Sequence, residues 1–387
     1  MRRWIGVVAT TLAMLVSPVS VASAAVPSQR AQRTWMVDGI ARSVAVVGRS
    51  VWVGGAFDAV LRPDGRAGHV VPGIAAFHRR TGAPTVTMPA LESNPLVFDM
   101  SVADGVLYLA GSFTYDVGGH AGQNLVGLDP ATGSIVRDFS TPKLWSVLAT
   151  PDRIYAGGAR LLAYRPGGSL DTGFAPVALE IDDSLRGHKA TEQVRDLMMH
   201  AGDVIAIGKF DFINGQPQKV AVRVDAGSGQ PRSWALEGIR QESAAFGLAG
   251  KVRADRLYVA AGGSDFTAAY HAGDGRLAWK TDTSGSSQAL SIFDRSTLIV
   301  GGHFQWVPRS RGQQCGSNDD PNLDCFNQPR LVAMKLATGR VIMSWTPRIC
   351  CAYNGVWGLA VRRLSLHVAG VFTRAGGRSQ QGYARFG

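Results

Sequence analysis

The chain has 387 residues, 45% of them hydrophobic and 18% charged, with 47 glycines, so it can bury a large core and does not belong to the disordered class. Its formal charge is +11, yet the arginines are scattered and no basic run is interleaved with aromatics, which excludes the usual make-up of a nucleic-acid-binding surface. Length alone suggests roughly two or three domains, a prior that an internal repeat overturns.

The first element is a leader. Arg2 and Arg3 precede an apolar run from Trp4 to Val16, and Ala22, Ser23 and Ala24 offer the small residues that a signal peptidase inspects, which predicts a cleaved secretory signal over 1–24. The run is shorter than the roughly 20 residues that span a bilayer, so no stable membrane insertion is expected. No cysteine stands at the cleavage point to take a lipid. Loss of Arg2 and Arg3 takes the formal charge from +11 to about +9, a balance that suits anionic cell-wall polymers or membrane surfaces.

After the leader the chain repeats itself. Seven stretches read as short alternating strands ending in small residues: 51–57 (VWVGGAF), 107–113 (LYLAGSF), 154–159 (IYAGGA), 204–210 (VIAIGKF), 257–263 (LYVAAGG), 298–304 (LIVGGHF) and 366–372 (LHVAGVF). A short apolar stretch precedes them, as in 97–105, 194–203 and 356–363. A third strand with a Gly, Asp or Asn turn follows, and then a fourth strand that often carries an aromatic, as with Trp234, Trp279 and Trp345. Four short strands per unit make a small antiparallel sheet, and radially packed copies make a β-propeller of about seven blades. Gly55, Gly111, Gly208, Gly302 and Gly370 are expected where a side chain would crowd the neighbouring sheet. Phe57, Phe113, Phe210, Phe304 and Phe372, with the tryptophans, are expected between sheets.

The ends of the chain complement one another. The last unit stops at Gly387 after three strands, while 33–39 (RTWMVDG) is an orphan strand whose Trp35 matches the fourth-strand aromatics. The N-terminal strand is therefore expected to complete the last blade and leave no open edge, with Trp35 buried and 25–387 forming one domain.

Residues 161–176 (LLAYRPGGSLDTGFAP) resemble the signature of delta-60 repeat propellers, and the phrases at 53–57, 110–113, 301–304 and 211–230 are similar to it. The resemblance covers the chain after the leader and implies an exported or surface-exposed propeller, but no catalytic residues. A second likeness, at 269–282 and 331–345, is to the repeats of quinoprotein propellers, some of which carry adjacent cysteines like Cys350 and Cys351. Against it, the tryptophan is present in only some units and no carboxylate set for a catalytic Ca²⁺ is legible.

All four cysteines lie late in the chain. Cys315 and Cys325 sit in a long insertion at 307–330, and Cys350 and Cys351 in the connection 347–358; the two loops emerge on one face of a propeller. An even count in an exported chain reads as disulfides. Adjacent Cα atoms stand about 3.8 Å apart, short of the roughly 4.4–6.8 Å usual for a disulfide, so bridges between the two loops are favoured over Cys315–Cys325 with Cys350–Cys351. In the insertion Asp320, Asn322 and Asp324 alternate as Ca²⁺ ligands often do, but the glycine and distal glutamate of a calcium loop are missing, and a solvated turn is favoured.

Nucleophile-elbow, zinc-protease and phosphate-loop motifs are absent from the sequence, and the eight histidines are dispersed. Glu180, Asp182, Asp183, Arg186 and His188 are polar loop residues able to converge with others at the ring mouth, which spacing alone does not show, because residues of different blades meet only in three dimensions. The resulting expectation is a monomeric, non-enzymatic binding propeller that presents one face to a cell-wall glycan or an exported protein, with no cofactor. The alternative is an enzyme on the same scaffold, a quinoprotein-type oxidoreductase or a glycan-processing hydrolase or lyase, because propellers host both.

Overall fold

The computed structural model of the chain describes residues 25–85, 91–185, 189–310, 312–313, 315, 324–352 and 355–387. The expected leader at 1–24 lies outside the described residues. Among those described, the chain is built of β-strands, with one 3₁₀ turn at Asp183–Leu185.

Seven sheets open alike, with a first strand turned back on a second. The pairs are Ile40–Val47 with Ser50–Ala56, Glu92–Ala103 with Val106–Val117, Ser146–Ala149 with Ile154–Gly157, Gln193–His200 with Asp203–Lys209, Phe246–Arg253 with Arg256–Gly262, Ser287–Ile292 with Thr297–Gly302, and Gly355–Arg362 with Ser365–Val371. They are called sheets one to seven in chain order. In each, a third strand pairs with the second. The second strands lie in the middle of their sheets with neighbours on both faces; Thr297–Gly302 is buried at every residue, which is why these strands read as near-continuous apolar runs. Several first strands are only half-buried, as in Ile40–Val47 and Gly355–Arg362, while Ser287–Ile292 is almost fully buried. Each packs against the first strand of the next sheet, and Gly355–Arg362 packs against Ile40–Val47.

The expected four strands per unit are met in sheets two, three and five. In sheets one, four and six the fourth strand shrinks to a single bridge: Phe77 with Pro84, Val224 with Pro231, and Met334 with Val341. Pro84 and Pro231 have no N–H to donate, so the ladder stops there.

Two kinds of close approach set the spacing. A Cβ on Gly55, Gly111, Gly208, Gly302 or Gly370 would run into the carbonyl oxygen of Ile40, Leu96, Gln193, Ser286 or Gly355, at the entrance to the first strand of the same sheet. These five glycines thus make room for their own sheet rather than the neighbour. The residue before does face the neighbour: a Cβ on Gly54 would stand 2.6 Å from Val97 Cγ1, and Gly157 and Gly301 face Val194 and Val356 in the same way. Phe57, Phe113, Phe210, Phe304 and Phe372 are buried behind them.

Aromatics near the outer edge dock on the next sheet. The Trp279 indole N–H donates to Leu336 O at 3.1 Å and that of Trp345 to Ser28 O at 3.4 Å, and both side chains are buried. Trp234 is buried too, but lies outside any strand. Trp35 is only half-buried, short of the burial expected, because it stacks on His69 with centroids 5.9 Å apart.

The N-terminal segment runs along the last sheet. Gln32 N donates to Arg385 O at 2.8 Å, Gln380 Nε2 donates to Thr34 O at 3.2 Å, and Ala31 is buried in one core with Trp345, Phe372 and Phe386.

Candidate binding site

The first strands share an irregularity. In six of them the register against the second strand skips one residue near the start, between Ala41 and Ser43, Val97 and Asp99, Val194 and Asp196, Gly247 and Ala249, Ser287 and Ala289, and Val356 and Gly358. These are β-bulges, which re-aim the extra residue. The residues so displaced are Arg42, Phe98, Arg195, Leu248, Gln288 and Trp357. In sheet three Ser146 pairs with Gly157 as Ser43 pairs with Gly54, which puts Trp145 in the corresponding place.

These side chains meet across sheets. The Arg42 guanidinium lies 4.2 Å from the Trp357 ring centroid and the Arg195 guanidinium 4.3 Å from that of Trp145. Phe98 packs on Trp145 with centroids 4.1 Å apart, and Lys143 Nζ stands 4.7 Å from the Trp145 ring. Burial, and then the charge of Arg42, lower the pKa of Arg195 to about 10. Sheets one and four are not neighbours in the succession, yet the charge of Arg42 reaches Arg195.

One residue further along, Asp99 and Asp196 brace the same bulges. Asp99 accepts from Met100 N at 2.8 Å and from Val147 N of sheet three at 2.9 Å. Asp196 accepts from Leu197 N and, in sheet five, from Gly250 N, both at 2.9 Å, and pairs with Lys251 Nζ at 3.5 Å. Burial, reinforced by the charge of Asp196, raises the Asp99 carboxyl to about 7.

The cysteines pair within their loops. Cys315 bonds Cys325, with Cα atoms 6.0 Å apart, and Cys350 bonds Cys351, with Cα atoms 3.8 Å apart, in place of the bridges favoured between the loops. Each loop is pinned by its own small sheet: Trp306–Pro308 pairs with Cys325–Asn327, while Cys350 pairs with Arg374 of the last unit. Of the three candidate calcium ligands, Asp320 and Asn322 lie outside the described residues. Asp324 is engaged by Arg309 Nε at 3.3 Å and Ser310 Oγ at 3.1 Å. Among the described residues no group of three or more His, Cys, Asp or Glu converges as metal ligands would.

Of the polar residues expected at the mouth, Glu180 accepts from Gly215 N at 2.9 Å and Asp183 from Ala190 N at 2.9 Å, while Arg186 and His188 lie outside the described residues. The sequence reading missed the bulge cluster. Its signal is present in the parallel phrases Val97-Phe98-Asp99, Val194-Arg195-Asp196 and Val356-Trp357-Gly358. A separate cleft of about 580 Å³ lies between sheets four and five, lined by Asn214, Gln216, Gln218, Arg232, Trp234 and Asp274.

No family model matches the chain, and no curated protein matches it. Solved structures do. The WD40 β-propeller domain of Doa1 is 8% identical with a TM-score of 0.55, over 92% of this chain and 96% of that one. The β-propeller domain of Cps50 (Swd1) from Myceliophteria thermophila is 11% identical with a TM-score of 0.55, over 91% and 97%. BamB from Moraxella catarrhalis is 11% identical with a TM-score of 0.50, over 91% and 99%. At these identities the likeness shows a β-propeller fold and nothing finer. No helix among the described residues is long and apolar enough to cross a membrane.

Proposed function

We propose that the chain is an exported, monomeric β-propeller that acts by binding, and that the bulge cluster is its recognition surface. The observation that carries this reading is the stacking of Arg42 on Trp357 and Arg195 on Trp145, where neither arginine has a carboxylate partner among the described residues. Arginine and tryptophan are the side chains that most often dominate binding energy. The cluster lies at the end of the sheets where the second strands finish and the cysteine-bearing loops begin. Asp99 and Asp196 are each committed to two backbone N–H groups, which favours a bracing role over acid/base chemistry. The partner is an exported protein or a wall glycan, and residues 25–387 act as one domain.

The reading includes a closed ring of seven blades of the delta-60 repeat type, with the N-terminal segment as the outer strand of the last blade. Three correspondences support closure. Gly82 of sheet one leaves room for Thr34 as Gly275 of sheet five leaves room for Ala235. Met36–Val37 pairs with Ala59–Leu61 as Ile349–Cys350 pairs with Arg374–Ala375. The first strand of sheet seven packs on that of sheet one.

The test is retention of the purified chain on isolated wall glycan and on immobilised exported proteins of the same cell, compared with Arg195→Ala and Trp145→Ala. The expected outcome is a loss of about tenfold or more in affinity for one of the two. Equal retention by all three proteins, or a quinone mass retained in native mass spectrometry, would sink the reading.

A further inference from the structure

Several arginines of this chain are tied down by aspartates. Arg153 Nε holds Asp171 at 2.6 Å, Arg223 Nε holds Asp203 at 2.6 Å, and Arg232 holds Asp203 and Asp225 at 2.9 and 2.6 Å. These pairs brace one part of the fold against another: Arg223 also donates from Nη1 to Gly273 O of sheet five at 3.0 Å. Pairing with aspartate is thus one way in which the chain disposes of its guanidinium groups, although Arg330 and Arg378 also hold a buried Nε with no hydrogen-bond partner.

Arg42 and Arg195 depart from it. Each is half-buried, each Nε is buried without a hydrogen-bond partner, and neither guanidinium is bonded to or ion-paired with any described residue. Trp357 Nε1, beside Arg42, is likewise buried and unanswered. Buried cations are ordinarily paired, and a cation left unpaired is costly. Here the charge of one bears on the other, and an exposed cation, Lys143, stands over the Trp145 and Phe98 rings. The aromatic faces offset part of the desolvation, by an amount smaller than an ion pair supplies. The nearest carboxylates along the first strands, Asp99 and Asp196, are turned to backbone N–H groups and, for Asp196, to Lys251. Repulsion between the two arginines thus stands uncompensated by the protein itself. A planar guanidinium presents a fork of donors that matches an oxyanion, and stacking on an indole fixes its plane in advance.

We infer that Arg42 and Arg195 form a two-armed clamp for an oxyanion, a phosphate or carboxylate group carried by the ligand, which enters between them and lies against Trp145 and Trp357. The inference rests on the binding function proposed above and names the chemical group that the site recognises.

The probes are inorganic phosphate and acetate, titrated into the full mature chain at constant ionic strength with chloride as the reference anion, and followed by tryptophan fluorescence and calorimetry. Phosphate or acetate is expected to bind in preference to chloride, and Arg42→Gln and Arg195→Gln are each expected to weaken binding by about tenfold, the usual effect of losing one charge-assisted contact. Whichever anion binds more tightly identifies the source. Without any anion, Arg195→Leu is expected to melt at or above the temperature of the parent, because it relieves the repulsion. Binding that is equal in parent and Gln variants, or absent from the parent, overturns the inference. So does a marked loss of stability in Arg195→Leu, which would make the arginine a packing element. Should Arg195→Gln fail to fold, Arg42→Gln decides alone. The two readings fail separately: a partner retained undiminished in saturating phosphate and acetate removes the clamp and leaves the binding function, whereas a phosphate site with no wall or protein partner removes the binding function and leaves the clamp.

Discussion

Gly54 of sheet one lies directly against Val97 of sheet two, so closely that a Cβ on the glycine would stand 2.6 Å from Val97 Cγ1 and 2.7 Å from Ser43 Oγ. Val97 is fully buried and leads into the bulge that displaces Phe98. The same pairing recurs between Gly157 and Val194 and between Gly301 and Val356, so it is a unit of inter-sheet packing.

Gly54→Ala is therefore expected to destabilise the chain by about 1–3 kcal/mol, the usual cost of overpacking a well-filled core. In a double-mutant cycle Val97→Ala should recover about 1 kcal/mol or more of that loss, because the two positions share one space. Urea unfolding of the four proteins checks this. Additive effects would show that the sheets relax apart instead.

The proposed closure of the ring gives a second prediction. Ala31 is 1% exposed and lies in one core with Trp345, Phe372 and Phe386, so Ala31→Glu would bury an unpaired carboxylate. A loss of several kcal/mol is expected, read as a lower melting temperature. A substitution on a loose N-terminal arm would leave the melt unchanged, and that result would remove the N-terminal segment from the last blade.

How far these features were legible depends on what each residue faces. The second strands were plain in the sequence because neighbours bury both their faces, so 298–304 and its copies run almost unbroken in apolar residues. The five repeat glycines were legible as close approaches, though not what they approach, since a backbone carbonyl leaves no mark in sequence. The bulges were hidden for another reason. The displaced residue is Arg42, Phe98, Arg195, Leu248, Gln288 or Trp357, and so diverse a set shares no side-chain signature. Nor does spacing reveal that Arg42 and Arg195, about 150 residues apart, come within electrostatic reach of each other. Trp35 was misplaced because Thr34, not its neighbour, takes the position against Gly82.

The pH dependence of stability should contain two opposed slopes. His367 is fully buried and shares a 2.8 Å hydrogen bond with the Tyr383 hydroxyl; burial, and then the charges of Arg385 and Arg79, push its pKa down to about 3. The unfolded chain then binds the extra proton below about pH 6.5, so this contribution is complete above that pH and is lost at about 1.4 kcal/mol per unit as pH falls toward 3. Asp99 has the reverse sign. With its folded pKa raised to about 7, its contribution is present below the unfolded value of 3.8 and is lost as pH rises through 7. Between about pH 4 and 6.5 the two nearly cancel. Relative to the parent, His367→Gln should make stability fall with rising pH in that window, and Asp99→Asn should make it rise. Parallel profiles for parent and variants in thermal melts from pH 4 to 8 would rule out both assignments.

The disulfides give the last prediction. Cys315–Cys325 closes the tip of the insertion beyond the hairpin Trp306–Pro308 and Cys325–Asn327, whereas Cys350–Cys351 lies in the approach to Trp357 and pairs at Cys350 with Arg374. The two loops are held by different units, so exchange between them would require pulling Cys325 or Cys350 out of its strand pairing. Non-reducing digestion should accordingly yield a linked pair of peptides containing Cys315 and Cys325, and a single peptide containing Cys350 and Cys351 that is lighter by two hydrogen atoms than its reduced form. The double substitution Cys315→Ser with Cys325→Ser should leave that second peptide unchanged. A peptide joining Cys325 to Cys350 or Cys351 would instead mean that the insertion folds down over the entrance to the first strand of sheet seven, which would place it against Trp357 and make it part of the recognition surface.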